Sequence, residues 1–136
     1  MSAATARAAA ERVLPGVPES VRAARAMVRE ALGDGHPAAE AAALCVSELV
    51  TNSIVYTRSG LPGGTVTVTV DFGDPGVLIS VLDGGSQASR AHARAVRGCA
   101  EHGHGLRIVA ALSAAWGTEL TPHGTCRTWC WIGGQS

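Results

Sequence analysis

The sequence predicts an α+β fold, a two-layer sandwich in which three helices pack on one face of a mixed, mainly antiparallel sheet. Two observations lead to this prediction: the predicted elements follow the order ααββαββ, and the strands come in adjacent pairs joined by short turns. At 136 residues the chain has the length of one domain. We expect residues 1–136 to form a single domain, with 1–11 as a loose lead-in and a short edge strand at 12–14.

The three helices are predicted from apolar spacing and from residues that start or stop a helix. Pro18 opens the first helix, which has apolar residues on one face and ends near Leu32, before two glycines. The second helix spans about 37–57 and is apolar nearly all round, which predicts burial on most of its sides. The third begins at the segment Gly103-His104-Gly105 and spans 106–115.

The strands differ in how completely they are expected to be buried. Apolar and polar residues alternate in 65–72, so one side of this strand should be buried and the other wet. The next strand, 77–82, is apolar almost throughout and should be buried more fully. The polar segment 86–102 has no strong periodicity, which predicts a loop or lid. The chain ends in a hairpin of 116–121 and 125–132.

Composition excludes several classes of function. The net charge is zero and charged residues make up 16% of the chain, so direct binding of nucleic acid through a basic surface is not expected. All eleven basic residues are arginine, which excludes a phosphate loop that requires lysine. The sequence shows neither a signal-peptide pattern nor an apolar run long enough for a membrane span. We therefore expect a cytoplasmic protein whose four cysteines are reduced thiols.

Glu48 and Asn52 carry the strongest chemical signal in the second helix. Glu48 is the only acidic residue in 41–57, and Asn52, four residues later, lies on the same helical stripe. A carboxylate in so apolar a helix is costly unless it is paired, so a structural hydrogen bond between the two side chains is one interpretation. The other is that both face a cavity holding a cation, and oxygen ligands of this kind suit Mg²⁺.

Two glycine-containing segments indicate further candidate sites. Asp83 ends the buried strand and is followed by Gly84 and Gly85, so its carboxylate could accept a hydrogen bond from a ligand that approaches the backbone closely. An Asp-Gly-Gly sequence is also typical of an ordinary turn. Gly103 and Gly105 lie at the start of the third helix, where unpaired N–H groups attract phosphate. Helix capping explains these two glycines about as well.

In their order along the chain, these segments resemble the GHKL ATP-binding superfamily, which includes DNA gyrase, Hsp90 and sensor histidine kinases. The closest likeness is to its small anti-sigma-factor serine kinases and related actinobacterial regulators. The segment 47–53 is similar to the N box, 81–85 to the first glycine box, and 103–109 to the second. The resemblance covers about 14–132 and implies the Bergerat ATP-binding fold.

The resemblance implies a role for each matched residue. Asn52 would hold Mg²⁺ through its side-chain oxygen, and Glu48 would polarise the attacking hydroxyl. Asp83 would accept the adenine amino group, with Gly85 allowing close approach of the base and Thr125 lying beside it. Backbone N–H groups would contact the phosphates of ATP at Gly103, Gly105 and Leu106.

Two functions follow from the resemblance. The first is a regulatory serine/threonine protein kinase, in which Glu48 acts as base on a serine of an anti-anti-sigma-type partner; the same surface, when ATP is bound, could sequester a sigma factor and so regulate transcription. The second is an ATP-dependent binding module with little or no catalysis. Gln87, where many relatives have a second glycine, favours the second function. A homodimer is a further possibility, because such relatives commonly dimerise.

Overall fold

The computed structural model describes residues 7–33, 35–56, 61–72, 76–84 and 105–133. Within these ranges it contains three helices and five strands. The helices are α1 (Glu19–Leu32), α2 (Ala39–Tyr56) and α3 (Gly105–Leu112). The strands are β1 (Arg7–Pro15), β2 (Thr65–Phe72), β3 (Val77–Asp83), β4 (Ala115–Leu120) and β5 (Cys126–Ile132).

The five strands form one sheet in the spatial order β1-β2-β3-β5-β4. All four pairings between the described strands are antiparallel, so the sheet contains none of the parallel pairing that a mixed sheet would have. The α+β class predicted from the element order is confirmed. Strand β3 lies in the middle of the sheet, and its carboxyl end is therefore flanked by strands on both sides.

Strand β1 is longer than the short edge strand expected at 12–14. It begins at Arg7 and pairs with β2 along its whole length, with an irregularity in register between Ala8 and Ala10. Alanine has low strand propensity, and strand propensity depends strongly on what a segment packs against. The hydrogen bonds that β2 offers therefore decide the conformation of this segment more than its own composition does.

The helices form a single layer over one face of the sheet. Helix α2 lies over the centre of the sheet, where it contacts β2, β3 and β5, and it packs against α1 on one side and α3 on the other. Alternate residues of the two central strands are fully buried beneath this layer. They are Val66, Val68, Val70, Val77, Ile79 and Val81. The predicted alternation of buried and wet sides in β2 is thus confirmed.

Helix α2 is buried on most of its sides, as its composition predicts. Val46, Leu49 and Val50 are almost completely inaccessible, whereas Leu44 and Val55 are 44% and 61% exposed. A narrow strip of the helix therefore faces solvent. No helix in the described ranges is long and apolar enough to cross a membrane.

Helix α3 ends at Leu112, three residues before the end expected from the sequence. The backbone N–H of Ala114 donates to the carbonyl oxygen of Trp131 at 2.8 Å, and Ala115 is already the register partner of Trp131. Because the chain joins the sheet at this point, the helix cannot continue, although its sequence would allow it.

The cysteines do not share one state. Cys45 and Cys130 are buried free thiols, whereas Cys126 is disulfide-bonded. The expectation of four reduced thiols, which rests on the lack of a signal-peptide pattern, is therefore wrong for Cys126, because such a pattern does not show which thiols the fold brings together. The hydrogen bond with Cys45, together with burial, raises the pKa of Cys130 far above the usual range of a thiol.

Candidate functional site

Asp83 lies at the carboxyl end of the central strand β3 and is only 5% exposed. Ser53 of α2 donates a buried hydrogen bond from its Oγ to Oδ2 of Asp83, at 2.8 Å. Side chains alternate along a strand, so Asp83 faces the same side as the buried Val81, toward the helices. A carboxylate this deeply buried requires donors of this kind. The fold therefore places an acidic group, held from α2, between the sheet and the helices.

Asn52 precedes Ser53 on α2 and is 9% exposed. Its Nδ2 is buried and has no hydrogen-bond partner within the described part of the chain. Such groups are rare in folded proteins, and leaving one unpaired costs about 1–3 kcal/mol. Rotating the amide exchanges its oxygen and nitrogen, so this position can present either a donor or an acceptor. The unsatisfied Nδ2 is a donor and fits an acceptor such as a phosphate oxygen, whereas a cation would be bound by the amide oxygen.

Glu48 lies one helical turn before Asn52 and is half-buried, on the strip of α2 that faces solvent. It lines a surface hollow of about 540 Å³ between α1 and α2. The other residues that line this hollow are Arg25, Arg29, Glu40, Leu44 and Ser47. Glu48 is thus open to an approaching group, and it does not bear the cost of a fully buried carboxylate.

The charges around this hollow are partly paired. Nη1 of Arg25 donates to Oγ of Ser47 at 3.2 Å, and Arg29 forms an ion pair with the exposed Glu40 at 3.1 Å. The structural hydrogen bond between Glu48 and Asn52, one of the two interpretations of the sequence, is not formed, since Nδ2 of Asn52 has no partner in the described ranges.

A second hollow, of about 250 Å³, lies at the sheet end that contains Asp83. It is lined by Gly63, Gly64, Thr65, Thr67, Leu82, Asp83, Gly84 and Thr125. Thr67 and Leu82 are register partners that alternate with buried residues, so their side chains point away from the helices. This hollow therefore opens toward the helix-free face, whereas the carboxylate of Asp83 faces Ser53.

The structure brings together only some of the residues that the sequence singles out. Asp83 and Thr125 line one hollow, and Asp83 is joined to α2 next to Asn52. Glu48 lines the other hollow, on the side of α1. The roles assigned to these residues from the resemblance stay predictions.

The predicted phosphate-binding residues are only partly described. Gly85 and Gly103 lie outside the described residues. Gly105 and Leu106 are the first two residues of α3, whose first-turn N–H groups have no carbonyl partners within the helix. Because α3 packs against α2, this helix start belongs to the same layer as Asn52.

Ser53 is the residue that sequence reasoning missed. It falls inside the segment similar to the N box, yet no role was inferred for it there. The available signal was a serine directly after Asn52 in a largely apolar helix that is buried on most sides. A polar side chain at such a position needs a partner, but nothing in the sequence indicates that the partner is Asp83, 30 residues away.

The two-layer sandwich, the acidic residue at the end of a central strand and the helix that carries Glu-x-x-x-Asn agree with the fold and motifs that the resemblance implies. Residues 14–131 match the family model of the histidine kinase-like ATPase domain. The match covers most of the chain, including all of α2 and Asp83, and the chain therefore belongs to the histidine kinase-like ATPase domain family. Membership confirms the resemblance to the GHKL superfamily and implies binding of ATP. A comparison with curated proteins found no match.

Proposed function

We propose that the protein is an ATP-dependent regulator that transfers a phosphoryl group to a serine of an anti-anti-sigma-type partner, as a serine/threonine kinase of the anti-sigma-factor type. One observation supports the kinase activity above the others. Glu48 is half-buried in a hollow of about 540 Å³ at the surface, where a partner's side chain can reach it. A glutamate that a partner can reach suits the role of a base better than a purely structural role.

The residues at or near the carboxyl end of α2 fit the nucleotide and its metal. Asp83 would accept the adenine amino group, and Asn52 would hold Mg²⁺ through its side-chain oxygen. Backbone N–H groups at Gly105 and Leu106 would contact phosphate oxygens. When bound, Mg²⁺-ATP supplies the phosphoryl group and neutralises charge on it, so the protein has mainly to position the reactants.

Glu48 would accept the proton of the partner's serine hydroxyl as the phosphoryl group is transferred. Arg25 lines the same hollow, where it donates to the hydroxyl of Ser47, and its positive charge would attract an acidic group of the partner. The hollow thus combines a candidate base with a basic side chain beside it, on the helix that also carries Asn52. A protein with this activity would act in the cytoplasm, and the homodimer suggested by the resemblance remains compatible with it.

A second candidate function is an ATP-dependent binding module that holds a sigma factor or another protein partner without phosphorylating it. The specific observation in its favour is Gln87, which occupies the position of a second glycine in many relatives. In this case ATP binding would reposition segments around the site, and this change would determine which partner is bound.

The test uses the anti-anti-sigma-type protein encoded nearest to this chain's gene, together with γ-labelled ATP. Glu48→Gln removes the negative charge but keeps the shape of the side chain. We expect transfer of label to fall at least about 100-fold, the lower range for loss of a general base, while ATP still raises the melting temperature.

Glu119→Gln is the matched control. Glu119 is an exposed glutamate on β4, 3.9 Å from Arg127, on an element remote from α2, and its loss should leave transfer unchanged. Full transfer in the Glu48 variant would remove Glu48 from the role of base. An ATP-dependent complex with no transfer, even by the unaltered protein, would favour the binding module.

A further inference from the structure

We propose that Ser53 is a positioning residue that, through Asp83, makes the site selective for a 6-aminopurine over a 6-oxopurine. The proposal rests on the proposed binding of ATP and extends it to the choice of base. Its starting point is the buried hydrogen bond from Ser53 Oγ to Asp83 Oδ2, at 2.8 Å, between two side chains that are 4% and 5% exposed.

The direction of this hydrogen bond matters. A serine hydroxyl has one proton, and here it is donated to a carboxylate oxygen. A donated hydrogen bond stabilises the ionised carboxylate relative to the protonated acid. It also holds the carboxylate of Asp83 in one orientation. Ser53 therefore favours the ionised form of Asp83, which only accepts hydrogen bonds.

The other serines close to helix backbone show that this arrangement is not the default. Ser47 donates to the carbonyl oxygen of Ala43, four residues earlier, and Ser113 donates to that of Val109 in the same way. Such local bonds are the usual choice of a serine within or just after a helix. Ser53 instead reaches across 30 residues to the end of the central strand. Its hydroxyl thus donates to the carboxylate of Asp83 and not to a carbonyl oxygen of its own helix.

Both ends of the Ser53–Asp83 contact are held by rigid elements. Ser53 lies on the buried side of α2, beside Asn52 and near the fully buried Val50. Asp83 is the register partner of Cys126 in the ladder between β3 and β5. The orientation of the carboxylate is therefore set by packing of the helix layer on the sheet, before any ligand binds.

An acceptor-only group discriminates between purines at the 6-position. The amino group of adenine donates to it, whereas the 6-oxo group of hypoxanthine or guanine would place an acceptor against an acceptor. Sites whose buried polar groups a wrong substrate leaves unpaired reject that substrate strongly. If Asp83 could rotate or take up a proton, it could accommodate a 6-oxo group, and this discrimination would weaken.

The test compares Mg²⁺-ATP with Mg²⁺-inosine triphosphate, which has oxygen in place of the 6-amino group. Dissociation constants are measured by calorimetric titration for the unaltered protein, Ser53→Ala and Ser53→Thr, along with the free energy of unfolding without nucleotide. A hydrogen bond to a charged group suggests that Ser53→Ala weakens ATP binding about 10-fold. Inosine triphosphate should be affected less than about 2-fold, so the ratio of the two affinities falls, while Ser53→Thr retains the ratio.

Ser20→Ala is the control for loss of a buried serine. Ser20 is as buried as Ser53, and its Oγ donates to the carbonyl oxygen of Pro15 at 2.6 Å, within the segment leading into α1. It should lower stability as Ser53→Ala does while leaving the affinity ratio unchanged. If Ser53→Ala does not fold, Ser53→Cys keeps the shape but donates weakly, and its ratio should also fall.

Three outcomes would overturn the proposal. An unchanged ratio in the Ser53 variants would show that Ser53 only supports the fold. Equal affinity of the unaltered protein for both nucleotides would show that Asp83 does not select the base. Binding of neither nucleotide would refute the proposed function itself, and this result is distinguished from the other two because it appears before any substitution is made.

Discussion

We expect the buried amide of Asn52 to lower the stability of the nucleotide-free protein, and a substitution can measure by how much. Its Nδ2 has no partner in the described part of the chain, and the residue is 9% exposed. Leaving such a group unpaired costs about 1–3 kcal/mol. Asn52→Leu keeps the branched shape and removes the polar atoms. We expect the free energy of unfolding without nucleotide to rise by about 1 kcal/mol, or about 3 °C in melting temperature for a domain of this size.

The same substitution should remove the benefit of the nucleotide's metal. A ligand at 100 times its dissociation constant stabilises the folded state by about 2.7 kcal/mol. For the unaltered protein we expect a gain of this order from Mg²⁺-ATP, and a smaller gain when EDTA replaces Mg²⁺. For Asn52→Leu the two gains should be equal. Urea unfolding followed by tryptophan fluorescence, with and without nucleotide and metal, measures all of these quantities.

A control substitution is expected to change the free energy of unfolding in the opposite direction. Ser20→Ala removes a buried polar group that is hydrogen-bonded, to the carbonyl oxygen of Pro15, and should lower stability by about 1 kcal/mol. Asn52→Ala has a smaller side chain. It therefore shows whether a loss of stability in Asn52→Leu comes from overpacking by leucine or from loss of the amide. If both Asn52 variants are less stable than the unaltered protein by more than about 1 kcal/mol, the amide contributes structural hydrogen bonds, and the reasoning is refuted.

Two further predictions concern the sheet. In Gly76→Ala the new Cβ would lie 2.6 Å from the carbonyl oxygen of Ile132, so we expect a loss of about 1–3 kcal/mol; Gly133→Ala, whose nearest neighbour is at 3.8 Å, should change stability by less than about 0.5 kcal/mol. Equal losses in urea unfolding would contradict the packing of β3 against β5. The raised pKa of Cys130 predicts falling stability above about pH 8.5, because the unfolded chain then ionises a thiol that the folded protein keeps neutral. Replacing Cys130 and its partner Cys45 together by alanine should flatten this decline, because burial would raise the pKa of Cys45 once its hydrogen bond with Cys130 is lost; an unchanged slope would assign the decline to another group.

The elements that the sequence predicted well are those whose signal is local. Strand β2 was predicted with its observed bounds, Thr65–Phe72, because valine alternates with polar residues along nearly its whole length. Helix α2 was predicted to within two residues at each end from its apolar composition and helical spacing. The N-terminal half of β1 was not predicted, since its alanines favour a strand only when β2 is beside them.

In the candidate site, too, local signals were predicted from the sequence and effects of packing were not. Glu48, Asn52 and Asp83 could be singled out because each is a polar residue in an apolar segment, and such residues need a reason to be there. That Glu48 is open to a hollow on the α1 side while Asn52 is buried could not be predicted, although both lie on one helical stripe. Which part of a stripe is covered depends on how α1 and α3 pack against α2.

The sequence by itself determined the class of fold, the absence of a lysine phosphate loop and the likeness to ATP-binding proteins. All three can be derived from composition, from periodicity and from short segments whose residues are close along the chain. Only the tertiary structure decided that Ser53 holds Asp83, that the amide of Asn52 finds no partner among the described residues, and that Cys126 is disulfide-bonded. Each of these depends on contacts, or on the lack of them, between distant segments. Such contacts arise from the packing of the helix layer on the sheet, for which one sequence carries no local signal.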